Sequence, residues 1–397
     1  NHHELCFGNG LRGETNMNDT KAADRKKKVD MRSYMMIIAL IAIWIIFAIT
    51  TEGVFITGRN ISNLLTQMAG VTILGAGMVF VLLTGKIDLS VGALVTLTGV
   101  VAAVLMAWNG WATIPTILVV LAMGLGVGLL NGFITVYLKV PAFITTLGMQ
   151  MVFQGVVIGI GKGVSIAPMA DIYKQIGNGY IDTPIVIVLG AVCFLAYLTL
   201  TMSKRSRRRA AGLEMEKQGS MLGKMVLVAV GIAVFVWVLS LYKGLPIAVL
   251  LMIVLVVVLQ FFAEKTKTGR HIYAVGGNEQ AAYCAGINVN RTNMITFVIC
   301  SMMAVVAGIV ITSRLNCGSA TSGDMKELDA IAAAVIGGCS LSGGKGRVVG
   351  AILGAIIMAS LDNGMSMLGI EAFWQYMVKG AILIIAVALD ATSQKAK

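Results

Sequence analysis

The sequence predicts an all-α protein: a polytopic transmembrane helical bundle of about 10–12 spans, at roughly 20 residues per span plus connections, with one short helix held outside the membrane. Two observations predict it. Hydrophobic residues make up 57% of the 397 and charged residues 13%, with a mean hydropathy of +0.85, a balance that soluble globular chains do not reach. The apolar stretches are also continuous and do not alternate every second residue, which excludes a porin-like barrel. The net charge of +12 is spread over short Lys and Arg clusters between apolar runs, so it sets orientation in the membrane and does not signal nucleic-acid binding.

Residues 1–34 are polar and carry Lys21, the run Arg25 to Lys28 and Arg32; they are expected to form a cytoplasmic tail. The opening NHHELCFGNG has no membrane logic, and Met17 is the expected natural start. The first apolar run, Met35 to Ile49 and on to Ile56, contains Thr51-Glu52-Gly53-Val54, a poor cleavage site, so it reads as an uncleaved span. It opens a membrane domain over 35–390, closed by a cytoplasmic tail over 391–397. Further spans are expected at Leu64 to Leu83, Ser90 to Trp108, Ile114 to Leu138, Phe143 to Ile160, Pro184 to Met202 and Met225 to Leu241. Pro246 to Ala263, Met294 to Thr312, Val348 to Leu361 and Phe373 to Leu389 follow, with a shorter stretch, Leu328 to Gly338, that crosses as a full or a half helix.

The polar run from Glu264 to Arg291 interrupts these spans and, with its surroundings, forms a loop over 264–293. A plain connection could be far shorter, so a run of helix-forming character held at both ends by spans reads as a docking element. Asn278 and Glu279 can cap and start a helix through Ala281, Ala282 and Ala285, and Gly286 can end it.

Charge places this loop. With the N-terminus inside, Lys86, Lys139, the cluster Lys204, Arg205 and Arg207 to Arg209, then Lys265, Lys267, Arg270 and Arg291 all fall on the cytoplasmic side. Both termini are then cytoplasmic, and Gly161 to Thr183 and Arg314 to Glu327 are the expected extracellular segments. TGKIDLSVGALVTLTG from Thr84 and SGGKGRVVGAILGAII from Ser342 echo one another: each sets Lys and Gly at an inner turn before a Val-Gly-Ala helix start. A parallel repeat and chance similarity between Gly-rich helices both account for this.

Enzymatic chemistry finds no residues. GGCSLSGGKGR departs from a phosphate loop, since Cys339 stands where the first Gly is needed and Gly346 follows Lys345. GLGVGLLNG, Gly124 to Gly132, follows no strand and reads as helix packing. The histidines are His2, His3 and His271, the six cysteines are scattered, and no acid pair has metal-ligand spacing. The chain is expected to be a transport subunit and not an enzyme, with no cofactor or metal of its own. Asn131, Gln150 and Gln154 could line a polar path or hydrogen-bond between helices. Lys379 could touch substrate, snorkel, or pair with Glu371 or Asp362.

The docking run carries a resemblance. EQAAYCAGINVNR, Glu279 to Arg291, resembles the coupling loop of bacterial ABC-importer permeases, which docks into an ATP-binding subunit. GMVFVLLTGKIDLSVG from Gly77 and ELDAIAAAVIGGCSLSGGKG from Glu327 resemble signatures of the ribose, galactose and xylose branch, and the similarity covers Met35 to Asp390. The closing ASLDNGMSMLGIEAFWQYMVKGAILIIAVALD and an extra pair of spans around Lys204 to Lys224 are most similar to its xylose members.

On that resemblance Glu279, Ala281, Ala282 and Gly286 fall on the ATPase-coupling motif, with Gln280 displacing its second Ala. Gly85, Asp88, Ser90 and Gly92 match the first signature, and Gly337, Gly338, Gly343, Gly344 and Gly346 the second. The resemblance implies alternating-access import of a monosaccharide, D-xylose first, with ribose, galactose or arabinose as other cargoes. It implies a cytoplasmic ATPase holding ATP and magnesium, an extracytoplasmic sugar-binding protein and a second permease copy in a bacterial inner membrane. An ion-coupled secondary carrier is the rival reading.

Overall fold

The computed structural model describes residues 31–212 and 218–395. The tail up to Asp30, with Met17 and the Arg25 to Lys28 run, lies outside the described residues, as do the last two residues of the C-terminal tail. The described chain is a helical bundle in which ten helices are long and apolar enough to cross a membrane, by length and composition.

α1 (Met31–Thr50) packs on α14 (Gly350–Met367), where Phe47 lies against Gly364 and Trp44 Nε1 donates to Ser360 Oγ at 3.0 Å. α2 (Gly58–Leu83) is the hub. It is apolar all round and buried along nearly its whole length, as expected of a helix enclosed by others. Its glycines let neighbours close in: Gly70 sits against Ile311 and Gly77 against Met303, both on α12 (Val289–Leu315). α3 (Val91–Ala103) continues through a π turn to Trp108. α4 (Thr113–Val136) sets Gly124, Gly128 and Gly132, one turn apart, on Val305, Val298 and Met294 of α12. The small-residue packing read from GLGVGLLNG is therefore what the structure shows.

α5 (Ala142–Gly161) flanks α3. α6 (Asp171–Asn178) lids the C-terminal end of α12: Tyr173 Oη and Thr312 Oγ1 share a 2.9 Å hydrogen bond, and Gly177 N donates to Ser313 Oγ at 2.6 Å. A two-residue antiparallel pair, β1 (Tyr180–Ile181) with β2 (Leu245–Pro246), ties that lid to the start of α9 (Ile247–Lys265). Between them α7 (Thr183–Ala210) and α8 (Gln218–Ser240) form a hairpin that packs chiefly on itself, Gly190 against Val236. This is the extra pair of spans, and its outer faces are mostly apolar and exposed up to the basic cluster that ends α7.

α10 (Lys267–Gly277) and α11 (Glu279–Cys284) follow α9, at what we call the inner end; α6 marks the outer end. α12 then climbs from inner to outer. The chain does not stay outside after Arg314, as the sequence suggests. It turns down along α3, Gly318 against Ala103 and Gly323 against the Gly92 carbonyl, with Gly323 N donating to Thr96 Oγ1 at 3.0 Å. α13 (Lys326–Ile336) therefore starts inside the bundle and covers only the inner half, about 16 Å for its 11 residues. α14 and α15 (Ala372–Lys395) complete the bundle.

Candidate functional site

The inner end is built from short polar signals. Thr266 caps α10 by accepting from Gly269 N at 3.0 Å, and Asn278 caps α11 by accepting from Ala281 N at 2.9 Å. Asn288 then caps α12 by accepting from Arg291 N at 2.8 Å. Of the four coupling-motif residues, Glu279, Ala281 and Gly286 are exposed, and Gly286 ends α11 with φ +80°. Ala282 faces the other way. It is buried with Val275, Val289 and Ile287 and fastens α11 to the ends of α10 and α12. Tyr283 stands 64% exposed beside them, so the free face of α11 offers an aromatic ring, a carboxylate and small residues.

Both signatures converge beneath this element. Gly276 of α10 lies so close to the Leu83 carbonyl at the end of α2 that any Cβ would overlap it, and the same position faces Gly344 N. Gly344 N donates to Leu83 O at 2.9 Å, Gly343 packs on the Gly276 carbonyl and Gly85 N, and Tyr273 Oη donates to Gly346 O at 2.8 Å. The turns after α2 and after α13 thus meet each other and α10 in one glycine junction. Gly337 sits against Gly350, closing the turn from α13 to α14; Gly338 follows it in that turn with φ +95°, and Gly346 packs on Cys339.

From the junction the first signature turns into the bundle. Asp88 Oδ1 accepts from Ser90 N at 3.0 Å and Ser90 Oγ at 2.6 Å, and Asn131 Nδ2 donates to Ser90 Oγ at 3.0 Å. Asp88 lies in the connection between α2 and α3; burial pushes its carboxyl up to about 6, against the pull of the Ser90 and Asn131 hydrogen bonds. Beside it opens a cavity of about 560 Å³, lined among others by Gly85, Lys86, Thr135, Lys139, Glu279 and Asn293. Burial lowers the Lys86 ammonium from its ordinary value, opposed by the Glu279 carboxylate. Glu279 of α11 and the connection carrying the first signature therefore share the walls of one inner cavity.

A polar seam continues outward. Gln150 Nε2 donates to Glu327 Oε1 at 3.4 Å, and Gln154 Nε2 donates to the Ala320 carbonyl at 3.3 Å, joining α5 to the descending segment and to the start of α13. Gly92 has no side chain because the Glu327 carboxylate occupies that space. Lys379 stands elsewhere, across α13. Its Nζ lies 2.8 Å from Asp362 and 3.1 Å from Asp329, while Lys326 holds Asp329 at 2.7 Å. Two cations and two carboxylates clamp α13, α14 and α15 together. The structure thus places Asn131, Gln150 and Gln154 along the α3 flank and Lys379 in an ion-paired cluster.

Two residues of this arrangement escaped the sequence reading as site residues. Gly276 precedes Glu279 in a GG pair, whose signal is a backbone contact invisible without the partner chain segments. Glu327 heads the second signature and looks like a helix-end acid; only the descent of residues 316–325 takes that helix end into the bundle.

Comparison with known proteins follows the same residues. Residues 60–387 match the family described as branched-chain amino acid transport system / permease component. The chain is 44% identical over 369 residues to a xylose transport system permease protein of Escherichia coli, covering 93% of this chain and 94% of that one. It is 41% identical to the protein of that name in Haemophilus influenzae, covering 93% and 98%. It is 32% identical to a ribose import permease protein of Escherichia coli, covering 90% and 94%. No solved structure matches it.

Proposed function

The chain belongs to the family of branched-chain amino acid transport system permease components, and from that premise we propose that it is the membrane-spanning subunit of an ATP-driven importer carrying D-xylose. The observation that carries the cargo is the higher identity to the xylose permeases than to the ribose permease, over nearly the whole of each chain. In this reading a cytoplasmic ATPase, which holds ATP and magnesium, docks on the exposed face of α11. A sugar-binding protein docks at the outer end, and a second copy of the chain completes the passage. The chain sits in a bacterial inner membrane with both termini cytoplasmic.

The glycine junction supports a mechanism of alternating access. Displacement of α10 and α11 by a closing ATPase bears on the end of α2 through Leu83 and on the α13–α14 turn through Gly344. Because those contacts are backbone on backbone, little side-chain compliance absorbs the movement. The shared inner cavity ties the same displacement to its Lys86 and Glu279 wall.

The experiment is uptake of labelled xylose by cells expressing the chain with its ATPase and binding protein, in competition with unlabelled xylose, ribose, galactose and arabinose. Xylose alone is expected to compete strongly. Stronger competition by ribose, galactose or arabinose overturns the cargo and leaves the transport reading standing.

A further inference from the structure

Glu327 is a buried carboxylate that the ion-paired cluster leaves out. α13 begins with Lys326, Glu327 and Asp329 in one turn, and the first and third turn toward α14 and α15, where Lys379 and Asp362 pair with them. Glu327 turns the other way, onto Gly92 of α3 and toward Gln150 of α5. Its side chain is buried, 8% exposed, and among the described residues no Lys or Arg pairs with it. Among the described residues one side chain hydrogen-bonds it, the Gln150 amide at 3.4 Å, at the long limit of a hydrogen bond, beside its own backbone N–H. A buried carboxylate with no cation beside it is costly unless something else meets it.

Its depth follows from its neighbours. Glu327 is the second residue of α13, whose 11 residues cover the inner half of the bundle, about 16 Å, and it packs on Gly92 near the inner start of α3. It therefore lies near the middle of a hydrocarbon core of roughly 30 Å. Gln150 and Gln154 lie one turn apart on the same face of α5, Gln154 reaching the Ala320 carbonyl of the descending segment. Carboxylate, two side-chain amides and the Ala320 carbonyl oxygen make a set rich in acceptors, with amide donors between them. That set suits a neutral polyol, whose vicinal hydroxyls donate and accept side by side, better than it suits an anion.

We propose that Glu327, with Gln150 and Gln154, forms a hydroxyl-binding station midway along the passage, where the carboxylate accepts from a passing monosaccharide. The inference rests on the transport reading above and names the contact that reading leaves open. The long Gln150 hydrogen bond is the one the sugar displaces, so the station holds its ligand weakly enough to release it inward.

The test uses proteoliposomes holding the full chain with its ATPase, with xylose-loaded binding protein outside, and reads xylose moved per ATP hydrolysed. E327A is expected to lower that ratio about tenfold, the worth of one hydrogen bond to a charged group, with E327Q recovering part of it. A purely structural role for Glu327 would lower uptake and hydrolysis together and leave the ratio unchanged, which overturns the station. Should E327A fail to assemble, the Q150A/Q154A double variant decides by the same ratio. A wild-type ratio that varies with sodium concentration, with the dependence lost in E327Q, makes this a cation site and also overturns it. Wild-type vesicles that move no xylose with ATP overturn the transport reading itself, a result distinct from normal wild-type uptake with a normal E327A.

Discussion

Gly276 shows how much of this protein rests on residues with nothing to bond. Its Cα faces the Leu83 carbonyl at contact, and Gly343 and Gly344 close over it from the other signature. G276A drives a methyl into backbone, where no rotamer change relieves it. Overpacking of this kind costs about 1–3 kcal/mol, and the expected outcome is a lower unfolding temperature in detergent together with weaker ATPase stimulation by loaded binding protein. Unfolding and stimulation at wild-type values would show the junction to be looser than described.

Asp88 carries a pH signature. Its native carboxyl is raised from 3.8 to about 6 by burial, so across that window the native state holds more protons than the unfolded one. Stability therefore falls as pH rises from about 4 to about 6 and is level above it. A shift of about two units corresponds to roughly 3 kcal/mol over the window. D88N is expected to flatten the unfolding temperature between those pH values, and a slope equal to wild type contradicts the assignment.

At the scale of elements, the spans were legible and the half helix was not. α2, α4, α9 and α12 each announce themselves as long apolar runs bounded by Lys, Pro or capping Asn, because a span must satisfy its backbone internally and bury no free charge. The capping of α11 by Asn278 was legible for the same local reason. α13 was ambiguous because its length fits half a bilayer and its other half is supplied by an irregular segment, which the bundle tolerates where protein covers it. Position in the sequence therefore set Glu327 at the end of an extracellular segment, whereas the structure takes it inside the bundle. Lys379, by contrast, was read with Asp362 as one of its two candidate partners, and that pairing is present together with Asp329, which sequence spacing did not suggest.

The proposed docking of an ATPase on α11 is open to mutation. E279A and G286V alter the exposed face of α11 and its left-handed end while leaving the buried Ala282 anchor in place. Co-purification of the ATPase is expected to drop several-fold in the double variant, with the chain itself still monodisperse. Undiminished ATPase recovery and uptake would remove α11 from the docking surface.

Taken as a whole molecule, the chain is a hub of α2, α12, α13 and α14, with a polar seam along α3 and α5 and the α10–α11 element fixed to the hub's inner end. Composition was enough to establish the class, since a chain 57% hydrophobic has no soluble solution. What composition hides is the wiring. Leu83, Gly276 and Gly344 are far apart in sequence and meet through backbone atoms, which no side-chain pattern encodes.

The central claim is that this wiring transmits ATP-driven motion to a sugar passage. It is tested most directly by xylose uptake into proteoliposomes containing the chain and its ATPase, with loaded binding protein outside, ATP inside and no ion gradient. Uptake that starts with ATP and stops when the ATPase is omitted is the predicted result. Uptake by the chain alone, driven by a sodium or proton gradient, would contradict it.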